Sequence, residues 1–124
     1  MPEVLKNFIG GEWTGTEAAG CAPVHNPATG DMRAQTPLST AAEVDRAVRG
    51  AAAAFPGWRA MPAGDRIQFL FRYKNLLEEN LDELARTITL ECGKTYAESV
   101  GELRRGIENV ETACGIPLML QGCN

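Results

Sequence analysis

The sequence of 124 residues is poor in histidine, with His25 alone, and its four cysteines form no Cys-x-x-Cys pair. Zinc sites of ordinary spacing need such pairs, so no metal site is expected. The net charge of −4 provides no basic patch for nucleic acid. No stretch approaches the roughly 18 apolar residues of a membrane span. These absences weigh against zinc, nucleic-acid-binding and transmembrane proteins.

A secretory signal is also missing, because no basic region followed by an apolar run opens the chain. We therefore expect a cytoplasmic location, where the four cysteines, Cys21, Cys92, Cys114 and Cys123, remain free thiols. A catalytic thiol needs a base and an oxyanion hole. His25 lies in a region of strands and turns, so we expect four inert thiols and no catalytic residue.

The composition, 44% hydrophobic and 23% charged, is typical of a globular protein. The first forty residues indicate strands and turns. Gly10-Gly11 separates apolar-containing runs at 7–9 and 12–14, which predicts a two-residue hairpin because both central positions accept positive φ. A cluster of turn residues at 26–31 predicts a connection between short strands at 21–25 and 32–37. The prolines within those strands confine them to sheet edges or strand ends.

Apolar residues then recur at spacings of three and four, which predicts four helices. The first helix should begin at a capping box, Thr40–Glu43, and end at Pro56-Gly57. The second should run from near Pro62 to Asn80, which can cap the third, and the third should end at Gly93. The fourth should begin at a second capping box, Thr95–Glu98, and end at Gly115 and Pro117. The second helix has two apolar stripes, one of Ile67, Leu70, Phe71 and Leu77, the other of Phe69, Tyr73 and Leu76. A helix with two apolar faces needs partners on both sides.

This order of elements lacks the alternation of strand and helix that builds a parallel sheet. Together with the two-faced helix, it suggests a truncated chain in which further protein packs on the helices. Gly-x-Gly-x-x-Gly is absent, so the common dinucleotide fingerprint is missing. Gly93-Lys94-Thr95 looks like the end of a phosphate loop, but the glycine required five residues earlier is replaced by Ile88. A helix end followed by a helix start explains the triplet better.

Arg104 and Arg105 interrupt the fourth helix. Spacing alone favours a solvated face, with pairing to Glu98, Glu102 or Glu108. The alternative is a guanidinium fork that binds a carboxylate.

Several segments together resemble the start of an aldehyde dehydrogenase, over residues 6–122. They are Asn7-Phe8-Ile9-Gly10-Gly11-Glu12-Trp13, Asn26-Pro27-Ala28-Thr29-Gly30, Ala53-Ala54-Phe55 with Trp58, and Glu91-Cys92-Gly93-Lys94. Three further segments resemble the CoA-acylating methylmalonate-semialdehyde dehydrogenase branch. They are residues 69–74, 101–111 and 113–117. The resemblance implies an α/β fold of which residues 1–124 are the α-rich N-terminal part of the coenzyme-binding domain.

The resemblance also implies a function for the whole enzyme, the oxidation of a small semialdehyde with NAD and CoA as cofactors. It assigns Arg105 to the substrate's carboxylate. It places the NAD-binding elements, the cysteine nucleophile, the glutamate base and the hairpin that joins subunits outside this chain. We therefore expect no cofactor-binding residue here and no activity of the chain alone.

The expected partners are the remainder of the enzyme, or a full-length relative, within a homo-oligomer. Two alternatives remain at this stage. One is a stand-alone helical module that binds a full-length dehydrogenase, and the other is a truncated product without function.

Overall fold

The computed structural model describes residues 3–122, which divide into two compact units, one ending at Arg59 and the other beginning at Ala60. The strands and the helix of the first unit are β1 (Glu3–Val4), β2 (Asn7–Ile9), β3 (Glu12–Thr14), β4 (Cys21–His25), β5 (Met32–Pro37) and α1 (Ala41–Ala60). The helices of the second unit are α2 (Ala63–Glu79), α3 (Leu81–Cys92), α4 (Tyr96–Cys114) and α5 (Ile116–Met119). The predicted order, short strands followed by helices, is confirmed.

The hairpin of β2 and β3 is antiparallel, with Ile9 paired to Glu12 across the turn. Gly10 and Gly11 have φ values of 64° and 88°. Side chains rarely tolerate this left-handed region, whereas glycine enters it without steric cost. Two successive residues of positive φ give a turn whose twist matches the flanking strands. The predicted hairpin is therefore confirmed together with its physical cause.

The three-stranded sheet has the order β1-β5-β4, with β5 antiparallel to β4 and parallel to β1. Strand β1 was not predicted, because two residues are too few to show an alternating pattern. Pro23 lies in the edge strand β4 and Pro37 is the last residue of β5. Both positions agree with prediction, since proline has no N–H to donate to a central ladder.

The turn between β4 and β5 is organised by Asn26, which is buried. Its Oδ1 accepts a hydrogen bond from the N–H of Ala28 at 2.9 Å, and its backbone carbonyl accepts one from the N–H of Gly30 at 2.8 Å. An asparagine side chain that bonds the backbone two residues later mimics a backbone turn. The predicted turn at residues 26–31 is confirmed.

Helix α1 begins at the predicted capping box. Glu43 Oε2 accepts from the backbone N–H of Thr40 at 2.7 Å, and Thr40 Oγ1 accepts from that of Glu43 at 3.3 Å. The predicted end at Pro56-Gly57 is wrong, because the helix continues to Ala60. Pro56 removes one N–H donor, but the carbonyl it would have met belongs to Ala52, which is exposed and open to water.

In the second unit, α4 packs against both α2 and α3. The contact includes small buried residues, Ala85 on α3 and Ser99 on α4, and the buried Ile107. Ser99 Oγ donates to the carbonyl of Thr95 at 3.1 Å and lies 3.0 Å from Thr89 Oγ1. The buried hydroxyl is thus hydrogen-bonded, as burial of a polar group requires.

The junction of α2 and α3 differs from prediction at Asn80. Its Nδ2 donates to the carbonyl of Leu76 at 2.8 Å, and no side-chain bond caps α3. The same carbonyl also accepts the backbone N–H of Asn80, at 3.1 Å, so the amide adds a second donor to the last turn of α2. Gly93 ends α3 as predicted, with a left-handed φ of 69°.

A fifth helix, the single turn α5, was not predicted. Gly115 ends α4 as expected, but Pro117 does not stop the chain from coiling again. Proline is tolerated in the first turn of a helix because the N–H there has no intrahelical partner. Pro117, which was predicted to mark the end of α4, therefore lies in the first turn of α5.

The first apolar stripe of α2 is half-buried in the unit except at one residue, and the other stripe is exposed. Ile67, Leu70 and Leu77 are half-buried, whereas Phe71 is 46% exposed. The second stripe remains open, as do most of the apolar positions of α1; the exposed residues include Phe69, Tyr73 and Leu76 on α2, and Val44, Val48 and Phe55 on α1. No helix within residues 3–122 is long and apolar enough to cross a membrane.

Candidate functional site

The candidate site is the exposed face of α4, and the second predicted capping box fixes where that helix starts. Thr95 Oγ1 accepts from the backbone N–H of Glu98 at 3.3 Å, and the Glu98 carboxylate accepts from the backbone N–H of Thr95 at 3.1 Å. The Thr95 hydroxyl also donates to this carboxylate, at 2.8 Å. The hydroxyl and then the backbone N–H lower the pKa of Glu98. This cap sets the position of every later residue on the helix.

The two adjacent arginines of α4 have different surroundings. Arg104 Nη1 donates to Glu78 Oε2 on α2 at 2.5 Å, and Lys74 Nζ lies 3.6 Å from the same carboxylate. Successive helix residues point about 100° apart, so Arg105 is directed away from this pairing. Its side chain is exposed, and no hydrogen bond or ion pair holds it among residues 3–122.

The expected pairing of the arginines with glutamates of α4 itself is wrong for Arg104. Its partner, Glu78, lies 26 residues earlier in the chain. Spacing along one helix predicts only contacts three or four residues apart, so it could not find this partner. For Arg105 the carboxylate role stays a prediction.

Glu102 lies about one turn before Arg105, and its carboxylate is bound by Lys94, whose Nζ donates to Oε2. This contact lowers the pKa of Glu102 and raises that of Lys94. The positive charge of Arg105 makes a smaller contribution that lowers both pKa values. Lys94, Glu102 and Arg105 thus form a cluster of two cations and one carboxylate, called the Arg105 cluster below.

The surface beside Arg105 is open on the side of the helix N-terminus. Gly101 lies four residues before it on the same face, and a Cβ at Gly101 would meet no atom within 4 Å. Long helical side chains lean toward the N-terminus, over the residue three or four positions earlier. By this tendency the side chain of Arg105 is expected to lean toward Gly101, which has no side chain. A planar group with five donors in this setting can bind a carboxylate at two points.

The triplet Gly93-Lys94-Thr95 joins two helices. Gly93 ends α3, Thr95 caps α4, and Lys94 is bound to Glu102. A phosphate loop follows a strand, which is not the case here. The interpretation of the triplet as a helix end followed by a helix start is confirmed.

The one histidine of the sequence, His25, does not lie beside Cys21. Cys114, the last residue of α4, is buried, whereas Cys21 and Cys92 are exposed. His25 is in the same strand as Cys21 but four residues later, about 13 Å away at the rise of a strand. Its Nδ1 lies 3.1 Å from a backbone carbonyl of the following turn. Cys123 lies outside the described residues.

A second cluster joins α3 to the start of α4 beside an open cavity of about 440 Å³, lined by Arg86, Thr89, Leu90 and Tyr96. Arg86 Nε donates to Asp82 Oδ2 at 2.9 Å, and the Tyr96 hydroxyl donates to Asp82 Oδ1 at 2.6 Å. Arg86 first and then Tyr96 lower the pKa of Asp82. Because these groups bind one another, the cluster connects the helices.

Residues 3–122 do not form a dinucleotide site. Such sites lie at the carboxyl ends of parallel strands, where a glycine-rich turn leads into a helix. The parallel pairing found in the described part of the chain is β1 with β5, and it covers two residues of each strand. The residues present therefore do not fit a bound dinucleotide by themselves.

Comparison with known proteins places this geometry in a family. The sequence model of the aldehyde dehydrogenase family matches residues 13–124. This chain belongs to the aldehyde dehydrogenase family. Malonate-semialdehyde dehydrogenase 3 of Geobacillus kaustophilus is 50% identical over 120 residues, which are 97% of this chain and 25% of that protein.

Solved structures show the same aldehyde dehydrogenase fold. Methylmalonate-semialdehyde dehydrogenase from Oceanimonas doudoroffii is similar with a TM-score of 0.89 and 42% identity, over 97% of this chain and 24% of that one. A Sinorhizobium meliloti structure assigned as a methylmalonate-semialdehyde dehydrogenase, complexed with NAD, has a TM-score of 0.88 and 33% identity, over 94% of this chain and 24% of that one. The chain thus spans about a quarter of the length of these relatives, and the resemblance recognised from sequence is confirmed.

Proposed function

We propose that this chain is the first part of a NAD-dependent, CoA-acylating aldehyde dehydrogenase that oxidises a small semialdehyde, such as methylmalonate semialdehyde, to an acyl-CoA. The names of the relatives support this substrate class, since they act on malonate or methylmalonate semialdehyde. The observation that carries the proposal is the exposed side chain of Arg105, which makes no hydrogen bond or ion pair among residues 3–122 and follows Gly101 by one helical turn. These substrates bear a carboxylate beside the aldehyde, and a guanidinium fork fits that group.

In this proposal the chain supplies scaffold and one substrate contact. Arg105 binds the carboxylate, while Arg104 holds α4 against α2 through Glu78. NAD and CoA serve the complete enzyme, because residues 3–122 do not fit a dinucleotide. The nucleophile and base also belong to the rest of the enzyme, so the chain alone is inactive.

The proposed partners are the remainder of the enzyme and further copies of the complete protein in a homo-oligomer. The exposed apolar faces of α1 and α2 support a partner of this kind, since apolar surface of this extent is usually covered. A cytoplasmic location is supported by the free thiols of Cys21, Cys92 and Cys114. Nucleic acid is not a proposed partner, given the net charge of −4.

A chimera tests the activity. This chain replaces the matching quarter of the Geobacillus kaustophilus enzyme, to which it is 50% identical. NADH formation from malonate or methylmalonate semialdehyde with NAD and CoA is expected for the chimera and not for the 124-residue chain alone. A folded chimera without turnover would overturn the proposed activity, and turnover by the pure chain would overturn the division of roles.

The role of Arg105 is tested in the same chimera with Arg105→Gln. Loss of a charge-assisted contact should raise KM for the semialdehyde about 10- to 100-fold and leave KM for propanal, which has no carboxylate, nearly unchanged. Arg104→Gln is the matched control, because Arg104 is bound to Glu78. Equal effects on the two aldehydes would contradict a carboxylate contact.

A measurement of the native polypeptide separates this proposal from a stand-alone module. An antibody raised against the chain should detect a product several times larger than 13.4 kDa in the source cells. Detection at 13.4 kDa, with a full-length dehydrogenase co-purifying, would favour the interaction module instead.

A further inference from the structure

We propose that Lys94 is a positioning residue that keeps Arg105 open for an incoming carboxylate by binding Glu102. The inference rests on the proposed function, in which Arg105 is the carboxylate contact. Lys94 itself lies before α4 and contacts Glu102 through Nζ. Its action on the substrate would therefore pass through the other two members of the Arg105 cluster.

Without Lys94, the carboxylate of Glu102 would be free to pair with Arg105. Glu102 and Arg105 are three residues apart on one helix, a spacing at which opposite charges form ion pairs. The acid is N-terminal to the base, which is the favoured orientation. In the structure this pair is not made, because the carboxylate is bound by Lys94. Lys94 thus removes the nearest competitor for the guanidinium.

The second step concerns the other carboxylates near this face. Glu98 is occupied by Thr95 in the capping box, and Glu78 is bound by Arg104. Glu108 lies three residues after Arg105, but in the reverse and weaker orientation for a helical ion pair. Glu102 is therefore the acceptor whose release would affect Arg105 most.

The third step is the charge of the Arg105 cluster. With Lys94 present, two cations and one carboxylate leave a net positive charge beside the open surface over Gly101. Without Lys94 the cluster is neutral, and the freed carboxylate of Glu102 both attracts the guanidinium and repels an anionic substrate. Both effects weaken binding of a carboxylate and leave binding of a neutral aldehyde unaffected.

The position of Lys94 is set by the backbone on both sides. Gly93 has a left-handed φ of 69°, and Thr95 is held by the capping box. A residue between two fixed helix ends has little freedom to move. The fixed backbone thus places the start of the Lys94 side chain within reach of Glu102, eight residues later, to which Nζ donates.

The test uses the active chimera with this chain at its start. Lys94→Gln should raise KM for malonate semialdehyde roughly three- to tenfold, since one unneutralised charge a few ångströms away changes binding by about that factor in a partly exposed site. The kcat and the KM for propanal should stay unchanged. Lys94→Arg should retain the wild-type values, and Lys94→Gln combined with Glu102→Gln should restore most of the affinity.

Lys74→Gln is the control for loss of an ammonium group that bridges α2 and α4; it should not affect KM for either aldehyde. Thermal unfolding of each variant identifies any that is misfolded, and Lys94→Met then replaces Lys94→Gln. An unchanged KM in the Lys94 variants, or no restoration in the double variant, would overturn the inference. If Arg105→Gln raises KM and Lys94→Gln does not, the inference alone fails; if Arg105→Gln has no effect either, the proposed carboxylate contact fails with it.

Discussion

The carboxylate of Glu43 accepts a hydrogen bond from the backbone N–H of Glu17, 26 residues earlier in the chain, at 3.0 Å. The same carboxylate accepts two hydrogen bonds from Thr40, one from its backbone N–H at 2.7 Å and one from its hydroxyl at 3.0 Å. Glu43 is only 1% exposed to solvent. A buried charge is tolerated when several donors surround it. Glu43 therefore fixes both the start of α1 and the segment between β3 and β4.

Glu43→Gln should lower the thermal unfolding midpoint of the chain. Glutamine has the same size as glutamate but carries no charge. Its NH2 group replaces one carboxylate oxygen and would face the N–H and hydroxyl donors that this oxygen accepts from. Glu98→Gln makes the same change in the exposed capping box of α4 and should have the smaller effect. Both variants are compared by circular dichroism during heating. Equal shifts would show that the bond to Glu17 adds nothing to the cap.

The pH dependence of stability should also reveal Glu43. The backbone N–H of Thr40, followed by that of Glu17, lowers its pKa from 4.5 to about 2. A carboxyl group with a lowered pKa in the folded state stabilises the fold fully above about pH 4.5, and that contribution is lost as the pH falls toward 2. The difference in unfolding midpoint between wild type and Glu43→Gln should therefore narrow over this range. A difference that stays constant from pH 6 to pH 2 would contradict the assignment.

Ile107 carries much of the packing between α4 and its neighbours, since it is only 2% exposed. Ile107→Ala should reduce the free energy of unfolding by about 2–5 kcal/mol, because it removes buried apolar surface and leaves a cavity. Leu118→Ala is the control at a residue that is 73% exposed, where a change within about 0.5 kcal/mol is expected. Urea unfolding of the three proteins measures both values. A loss at Ile107 no greater than at Leu118 would mean that the second unit lacks a fixed core.

The elements that the sequence predicted are those whose cause is local. The two capping boxes are each closed by residues three apart, and the hairpin needs only Gly10 and Gly11. Pro56 was misinterpreted because its effect depends on surroundings. The carbonyl that Pro56 leaves without its usual donor belongs to Ala52, which is exposed and can bind water instead.

The contacts of the candidate site could be predicted only in part. Arg105 was proposed as a carboxylate contact through a family resemblance, and that role stays a prediction; the Lys94–Glu102 contact near it joins residues eight apart. The Glu78 partner of Arg104 lies on another helix. No periodicity within one helix encodes such pairs, because they depend on how the helices pack. The sequence therefore suggested a candidate residue, and only the tertiary structure gave the partners of the charged residues around it.

Glycine positions provide a test of backbone conformation in the first unit. Gly11 has φ of 88°, so Gly11→Ala should destabilise the chain by about 1–2 kcal/mol. Gly50 lies within α1, where a Cβ would meet no atom within 4 Å. Gly50→Ala should stabilise the chain by roughly 0.5–1 kcal/mol, because alanine loses less entropy in a helix. The two alanine variants should thus shift the urea midpoint in opposite directions, and a shift in the same direction would disprove the predicted turn or helix.

The exposed stripe of α2 should bind a hydrophobic dye when the chain is made alone. Tyr73 and Leu76 on this stripe are 51% and 55% exposed, and Phe69 is 46% exposed with the Arg72 guanidinium 4.6 Å from its ring centroid. Contiguous apolar surface of this kind raises dye fluorescence. The double change Tyr73→Gln and Leu76→Gln should reduce that fluorescence while far-ultraviolet circular dichroism stays the same. The chimera should show less dye binding than the chain alone, because the remaining three quarters of the enzyme would cover the face. A compact monomer that binds no dye would contradict the exposed stripe, and equal binding by chain and chimera would contradict its coverage in the complete enzyme.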